Sequence, residues 1–424
     1  MSIFERRESA VRSYSRNWPV VFDRAEGSWL YSVDGTPYLD FFAGAGTLNY
    51  GHNDPVLKRA LMRYIEQDGV THALDMWTAA RADLLEALEE QILTPRGLDY
   101  TVVFPGPAGA NAVEAALKLA RKATGRQWVA YFENAFHGMT MGALSVNGNR
   151  AVRRSAGIPL SHSAQLPYDD HRTDVAGIEA QLASSAGGLT GTAAVIVETV
   201  QGEGGIHVAR TEWLRELATV CKRHGILIII DDIQMGCGRV GSFFSFEEAG
   251  IEPDIVCLSK GISGYGLPMA LTLIRPELDI WKPAEHNGTF RGFNLAFVTS
   301  AAAMRAYWSD DELELSVRAK GARVAEGLEQ IAASFPEATP TARGRGLAHG
   351  LHAASGEIAK RISTAAFERG LLVETCGSDG AVVKLLPPVT VSGGDIDRAL
   401  EILHASVKGA LAGHIGAGDD GGAP

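Results

Sequence analysis

The chain has little cysteine: four residues in 424, Cys221, Cys237, Cys257 and Cys376, with no CxxC or CxxH spacing among them. That leaves no disulfide framework and no zinc site, and scattered thiols suit a reducing, cytoplasmic compartment. No metal is expected. Long apolar runs are missing too; the longest are strand-length, so no membrane span is expected. The opening MSIFERRESAVRSYSR has no apolar core of the kind a secretory signal carries. Basic residues are outnumbered, with a net charge of −11, which argues against nucleic acid or an anionic membrane as the main partner. There is no internal repeat. What remains, at this length, is the profile of a globular enzyme large enough for two domains.

Two apolar runs organise what is present. Ile226 to Ile230 are five consecutive branched aliphatics that run straight into Asp231 and Asp232, and Ile255 to Leu258 run into Ser259 and Lys260. Runs this short and this apolar read as strands buried on both faces of a parallel sheet. Ligand crevices in such sheets lie at the carboxyl ends of strands, so Asp231 and Lys260 are expected on the same side. Alone, the first reads as well as a helix cap and the second as a surface amine. As a pair they suit pyridoxal phosphate, which a lysine holds as a Schiff base while a carboxylate keeps its ring nitrogen protonated.

The rest of the chain is laid out around that pair. GSWLYSVDGTPYLDF reads as a hairpin with a two-residue turn at Asp34-Gly35. FFAGAGTLNYGHNDP is a glycine-rich loop before a helix from Pro55 to Gln67. From Tyr100 strand and helix patterns alternate, the mark of a parallel sheet. YTVVF leads through GPAGAN into the amphipathic AVEAALKLARKATG, and Gly109, Ala110 and Asn111 fall where free N–H groups at a helix start bind an anion such as a phosphate. Phe136, beside His137 and Gly138, offers an aromatic face for a flat ring, and equally a core position. AAVIVETVQGEGG ends in Glu198, Gln201 and Glu203, which read as a gate for a cationic group or as solvated residues. Thr289 and Arg291 lie in HNGTFRGFN. A long helix, short strands (GLAHGLHA, GLLVETCG, AVVKLLPPV) and a last helix, GDIDRALEILHASVKGAL, suit a separate carboxyl-terminal unit.

These blocks carry a resemblance. DDIQMGCGRVG, ETVQGEGG, FHGMT, LSKGISG and HNGTFRGFN occur in an order similar to that of the class III (ω-amino acid) pyridoxal-phosphate aminotransferases of fold type I, over about residues 20 to 405. The implied fold is α/β: a large domain with a mostly parallel seven-stranded sheet (residues 53–305) and a smaller α+β domain drawn from both termini (1–52 with an amino-terminal arm, and 306–412). Residues 413–424 are expected to be a flexible tail. The resemblance implies that Lys260 holds the cofactor and shuttles a proton, that Asp231 meets the ring nitrogen, that Gln234 meets the ring hydroxyl, and that His137 belongs to the cofactor site. Phe136 stacks on the ring, and Gly109, Ala110 and Asn111 hold the phosphate with Thr289 from the second subunit of a homodimer, whose sites lie at the interface.

FFAGAGTLNYGH, FPGPAGANAVEAALKLARKATGR, ISGYGLPMAL and ELDIWKPAEHNGTFRGFNLAF are most similar to the family members that serve ectoine synthesis. The reaction this implies moves an amino group between L-glutamate and L-aspartate 4-semialdehyde, giving 2-oxoglutarate and L-2,4-diaminobutyrate; the alternative is another ω-amine donor such as 4-aminobutyrate, ornithine or acetylornithine. One pocket then serves two kinds of amine, and Glu203 is the gate the resemblance suggests. Three departures stand out. Asp232 replaces a usual glutamate, Ala110 a frequent hydroxyl residue in the phosphate turn, and Lys384 the arginine that grips substrate carboxylates in many relatives. Lysine is not an equivalent fork, which leaves the choice between Lys384, Arg291 and another cation open.

Overall fold

The computed structural model describes residues 2–169, 174–183 and 191–415. Its centre is a seven-stranded sheet in the order Thr101–Val103, Leu271–Ile274, Ile255–Leu258, Leu227–Asp231, Thr192–Val197, Trp128–Phe132, Ser163–Leu166. Leu271–Ile274 runs antiparallel to both its neighbours, and every other pairing is parallel. The central strands are apolar throughout because both faces are covered. Ile229 and Ile255 pack with Val113, Ala116 and Leu117 of the helix Gly109–Thr124, whereas Ile228 and Ile230 belong to the core on the opposite face with Trp213, Leu214 and Leu217. Alternation along a strand thus feeds two cores from one run of isoleucines.

The register of the two expected strands fixes the site. Ile229 pairs with Ile255, and Asp231 with Cys257, so both strands end at one edge and deliver Asp231 and Lys260 there. Lys260 itself opens a short 3-10 turn, Lys260–Ser263, with a positive φ of 51°. A side chain in the left-handed region costs about 1–3 kcal/mol, and such residues concentrate at functional sites.

Three smaller sheets complete the fold among the described residues, one of them the antiparallel pair Val200–Gln201 and His207–Val208. In the first of the other two, Phe22–Glu26, Trp29–Ser32 and Pro37–Asp40 form an antiparallel meander, and Leu371–Leu372 from the far end of the chain joins it parallel to Pro37–Asp40. The second is antiparallel, in the order Thr341–Arg345, Ala348–His352, Val382–Leu385, Glu374–Cys376. The turn between Trp29–Ser32 and Pro37–Asp40 is longer than the two-residue turn expected at Asp34-Gly35. Gly35 N–H donates to Ser32 O, Ser32 N–H to Thr36 O, and only Gly35 of the pair has a positive φ (87°). A two-residue turn of the Asp-Gly type needs both central residues there. Asp34 is held instead by accepting hydrogen bonds from Ser32 Oγ and Thr36 N–H.

The last helix is assigned over Gly393–Ile415, so it reaches into the segment expected to be tail; residues 416–424 lie outside the described residues. Among the described residues, no helix is long and apolar enough to cross a membrane.

Candidate active site

A cavity of about 180 Å³ opens at the carboxyl edge of the central sheet, and Lys260, Asp231, Phe136, His137, Gln234 and Glu203 all line it, with Gly109 and Ala110 at one end. The strand ends supply Asp231 and Lys260, the start of the helix Gly109–Thr124 supplies the two small residues, and the loop after Trp128–Phe132 supplies Phe136 and His137.

Asp231 is buried and fully oriented. Its Oδ2 lies 2.6 Å from His137 Nδ1, and its Oδ1 accepts the Ile233 N–H at 3.1 Å. A carboxylate on that side calls for the Nδ1–H tautomer of His137. The backbone N–H of His137 is itself tied to Asn147 Oδ1 at 2.6 Å, while its Nε2 is buried with no partner among the described residues. Phe136 is fixed through its N–H, which donates to Glu198 Oε2 at 3.1 Å. Burial, with the charge of Asp231 added, pushes the Glu198 carboxyl well above the usual range, and the Phe136 N–H bond opposes that rise.

Lys260 Nζ makes no hydrogen bond or ion pair among the described residues. Burial pulls its ammonium below the usual lysine value, against the opposing charge of Glu203. Glu203 is held differently. Its Oε1 accepts from Lys384 Nζ at 2.5 Å and from Gln234 Nε2 at 3.1 Å, and Gln234 Nε2 also donates to Ala45 O at 3.0 Å. Burial alone would raise the Glu203 carboxyl, but Lys384, Lys260 and the Gln234 amide together outweigh it and hold Glu203 down to about 2. Lys384 is completely buried, and its ammonium also lies 2.9 Å from Glu374 Oε1. Burial works against that charge, and the two carboxylates overcome it and keep Lys384 protonated.

Four of the expected residues, Asn111, Thr289, Arg291 and Lys384, do not line the cavity. Asn111 does not line the cavity: its N–H donates to Ala108 O and its Oδ1 accepts the Ala108 N–H, closing the helix start on itself. The N–H groups of Gly109 and Ala110 are left without intrahelical partners. Arg291 is turned to His286 O (2.9 Å) and Asn287 Oδ1 (3.2 Å), and Thr289 O accepts from His72 Nε2 (2.7 Å). Within one chain neither reaches the cavity, and Lys384 does not line it either: it is buried behind Glu203, which does, and touches the site through that ion pair.

The arrangement fits pyridoxal phosphate on its own chemistry. It offers an unpaired amine, an oriented carboxylate, an aromatic face, and free N–H groups at a helix start, which is where phosphates bind. Small residues keep the space open: a Cβ on Gly138 would lie 2.9 Å from the Ala110 side chain, and one on Gly109 would lie 3.0 Å from Ile233.

The model of the class III aminotransferases matches residues 10–407. This chain belongs to that family. The aminotransferase is 59% identical over 410 residues, covering 96% of this chain and 94% of the relative, to the diaminobutyrate–2-oxoglutarate transaminase of Nocardia farcinica. It is 56% identical to the transaminase of the same name from Halomonas elongata, over 96% and 99% of the two chains. Among solved structures, the aminotransferase resembles the ornithine aminotransferase of Toxoplasma gondii, in which pyridoxal phosphate partly occupies the active site (TM-score 0.85, 25% identity, 96% and 94% coverage). The acetylornithine aminotransferase of Elizabethkingia anophelis is similar at a TM-score of 0.79, with 25% identity and 96% and 97% coverage.

Sequence reasoning missed Glu374. The signal was available in GLLVETCGSDGAVVKLLPP: a hairpin closed around Gly377–Gly380 puts Glu374 opposite Lys384, the register the structure has.

Proposed function

We propose that this aminotransferase moves the amino group of L-glutamate to L-aspartate 4-semialdehyde, yielding 2-oxoglutarate and L-2,4-diaminobutyrate, with pyridoxal phosphate as cofactor. The observation that carries the reading is Lys260 unpaired in the same cavity as the oriented Asp231, in a chain so similar to transaminases of that name. When bound, the cofactor supplies an electron sink for the charge left at the substrate carbon.

The chain's own residues do the rest. Lys260 Nζ would hold the cofactor at rest and, once released, would move the proton at the amine-bearing carbon; burial lowers its proton affinity in the direction that favours the free amine. Asp231, held by His137, would keep the ring nitrogen's proton in place. Phe136 would cover the ring, Gln234 would sit by its hydroxyl, and Gly109 and Ala110 would offer N–H groups to the phosphate. Thr289 of the partner subunit would add a hydroxyl there in a homodimer. Glu203 acts as the gate: paired with Lys384 it presents no free cation to a substrate entering by its terminal amine, and swung away it frees an N–H of Lys384 for the α-carboxylate of glutamate.

The test is the visible absorption spectrum of the purified protein. It is expected to be yellow, to bleach with L-2,4-diaminobutyrate alone, and to recover on adding 2-oxoglutarate. A yellow protein indifferent to diaminobutyrate but bleached by ornithine or 4-aminobutyrate would overturn the substrate assignment. A protein that stays colourless with added pyridoxal phosphate would overturn the cofactor.

A further inference from the structure

Glu374 and Lys384 stand directly opposite each other on the antiparallel strands Glu374–Cys376 and Val382–Leu385, and both are buried. Lys384 Nζ is therefore flanked by two carboxylates, Glu203 Oε1 at 2.5 Å and Glu374 Oε1 at 2.9 Å. Only the first is an aligned hydrogen bond; Glu374 Oε1 has no hydrogen-bonding partner although the ammonium is within ion-pair distance. Two carboxylates thus share one ammonium directly behind the Glu203 side of the cavity; burial raises the Glu374 carboxyl, and the charge of Lys384 opposes that rise. Tyr14 is a neutral phenol there, pushed up to about 12 by burial and then by Glu374 and Glu203, and among the described residues Lys260 Nζ forms no ion pair with either carboxylate.

We infer that Glu374 is a specificity-determining residue: the fixed second carboxylate on Lys384 makes that side of the cavity net negative and biases the site toward the diamino substrate over glutamate. This rests on the proposed reaction. At neutral pH glutamate carries two carboxylates and one ammonium, while 2,4-diaminobutyrate carries two ammoniums and one carboxylate. The substrates thus differ by two charges, and in a buried wall such charges are weakly screened. Glu203 lines the cavity and has a side chain 28% exposed, whereas that of Glu374 is 6% exposed. Glu203 can leave and be replaced on Lys384 by a substrate carboxylate. Glu374 stays, so the incoming carboxylate meets an ammonium already neutralised.

Glu374→Gln removes the charge and keeps an oxygen facing Lys384. Single-turnover reactions of the holoenzyme should then show the ratio of kcat/KM for glutamate to that for diaminobutyrate rising roughly tenfold or more, through KM and not kcat. Glu374→Asp, which keeps the charge, should restore the original ratio. Glutarate, a dicarboxylate without an amine, should bind the Glu374→Gln holoenzyme roughly tenfold more tightly by calorimetry. Should that variant prove unstable, Glu374→Thr also drops the charge, suits a strand, and carries the same expectations. An unchanged ratio together with unchanged glutarate affinity would overturn the role of Glu374. A wild-type enzyme that ignores diaminobutyrate would overturn the proposed reaction instead, and the glutarate measurement would still decide the charge argument.

Discussion

Replacing Glu203 by glutamine asks how much of the choice between two substrates rests on one ion pair. The Glu203 carboxyl is lowered from an ordinary 4.5 to about 2, which corresponds to about 3 kcal/mol favouring its ionised, paired form. Its side chain is 28% exposed, so solvent screening makes that an upper bound. Glutamate must break this pair to place its α-carboxylate on Lys384. A glutamine keeps a neutral hydrogen bond of about 1 kcal/mol, so gate opening becomes easier by about 2 kcal/mol, or up to about 30-fold in apparent glutamate affinity. Diaminobutyrate, entering by its terminal amine with the gate closed, gains nothing and loses an attractive charge. The assay is rapid mixing of each donor with the yellow holoenzyme, reading the concentration dependence of bleaching. If both donors shift by the same factor, or glutamate binds more weakly, the gate is wrong and Glu203 is a structural partner of Lys384.

Three further outcomes are expected. Lys260→Ala should slow the half-reaction by about 10⁴-fold while leaving the melting temperature of the cofactor-free protein close to wild type, because Nζ makes no hydrogen bond or ion pair among the described residues; retained turnover would remove the mechanism. His137→Ala should strip Asp231 of its 2.6 Å partner, a loss of about 1.5–3 kcal/mol for a bond to a charged group, seen as a kcat about 10–100-fold lower; an unchanged kcat would show that Asp231 needs no such support. His349 is buried, with Nε2 on Gly346 O, and burial lowers it from 6.5 to about 4. Protonation therefore favours the unfolded chain: the contribution is complete above pH 6.5 and lost as pH falls through 4, about 3 kcal/mol in all. Urea melts at pH 7 and pH 5 should diverge less in His349→Gln than in wild type.

The parts of this molecule that were legible in the sequence are those written in local pattern. Ile226–Ile230 and Ile255–Leu258 announce buried strands because each is apolar at every position, and the residues that follow them mark the sheet edge where the cavity lies. The turn into the helix Gly109–Thr124 was legible as a helix start and not in detail: the Asn111 amide folds back on Ala108, a competition between side chain and backbone that spacing does not reveal. Asp34-Gly35 signalled a turn, while the hydrogen bonds of the Asp34 carboxylate set its length. Glu374 stayed hidden because its meaning depends on a cross-strand partner and on a third residue, Glu203, from a distant loop. Long-range pairing of charges is where single-sequence reading is weakest, since a glutamate in a short strand looks like any edge residue.

The strand Leu371–Leu372 that completes the amino-terminal sheet also sets a timetable. Pro37–Asp40 leaves the ribosome about 330 residues before its parallel neighbour, which at 5–20 residues per second is a wait of roughly 20 to 60 seconds. Throughout that interval the nascent chain carries an open strand edge with Tyr38 and Leu39 on it, of the kind that recruits stray partners. The amino terminus is thus born first and finished last, and a chain truncated before Leu371 would keep that edge unsealed.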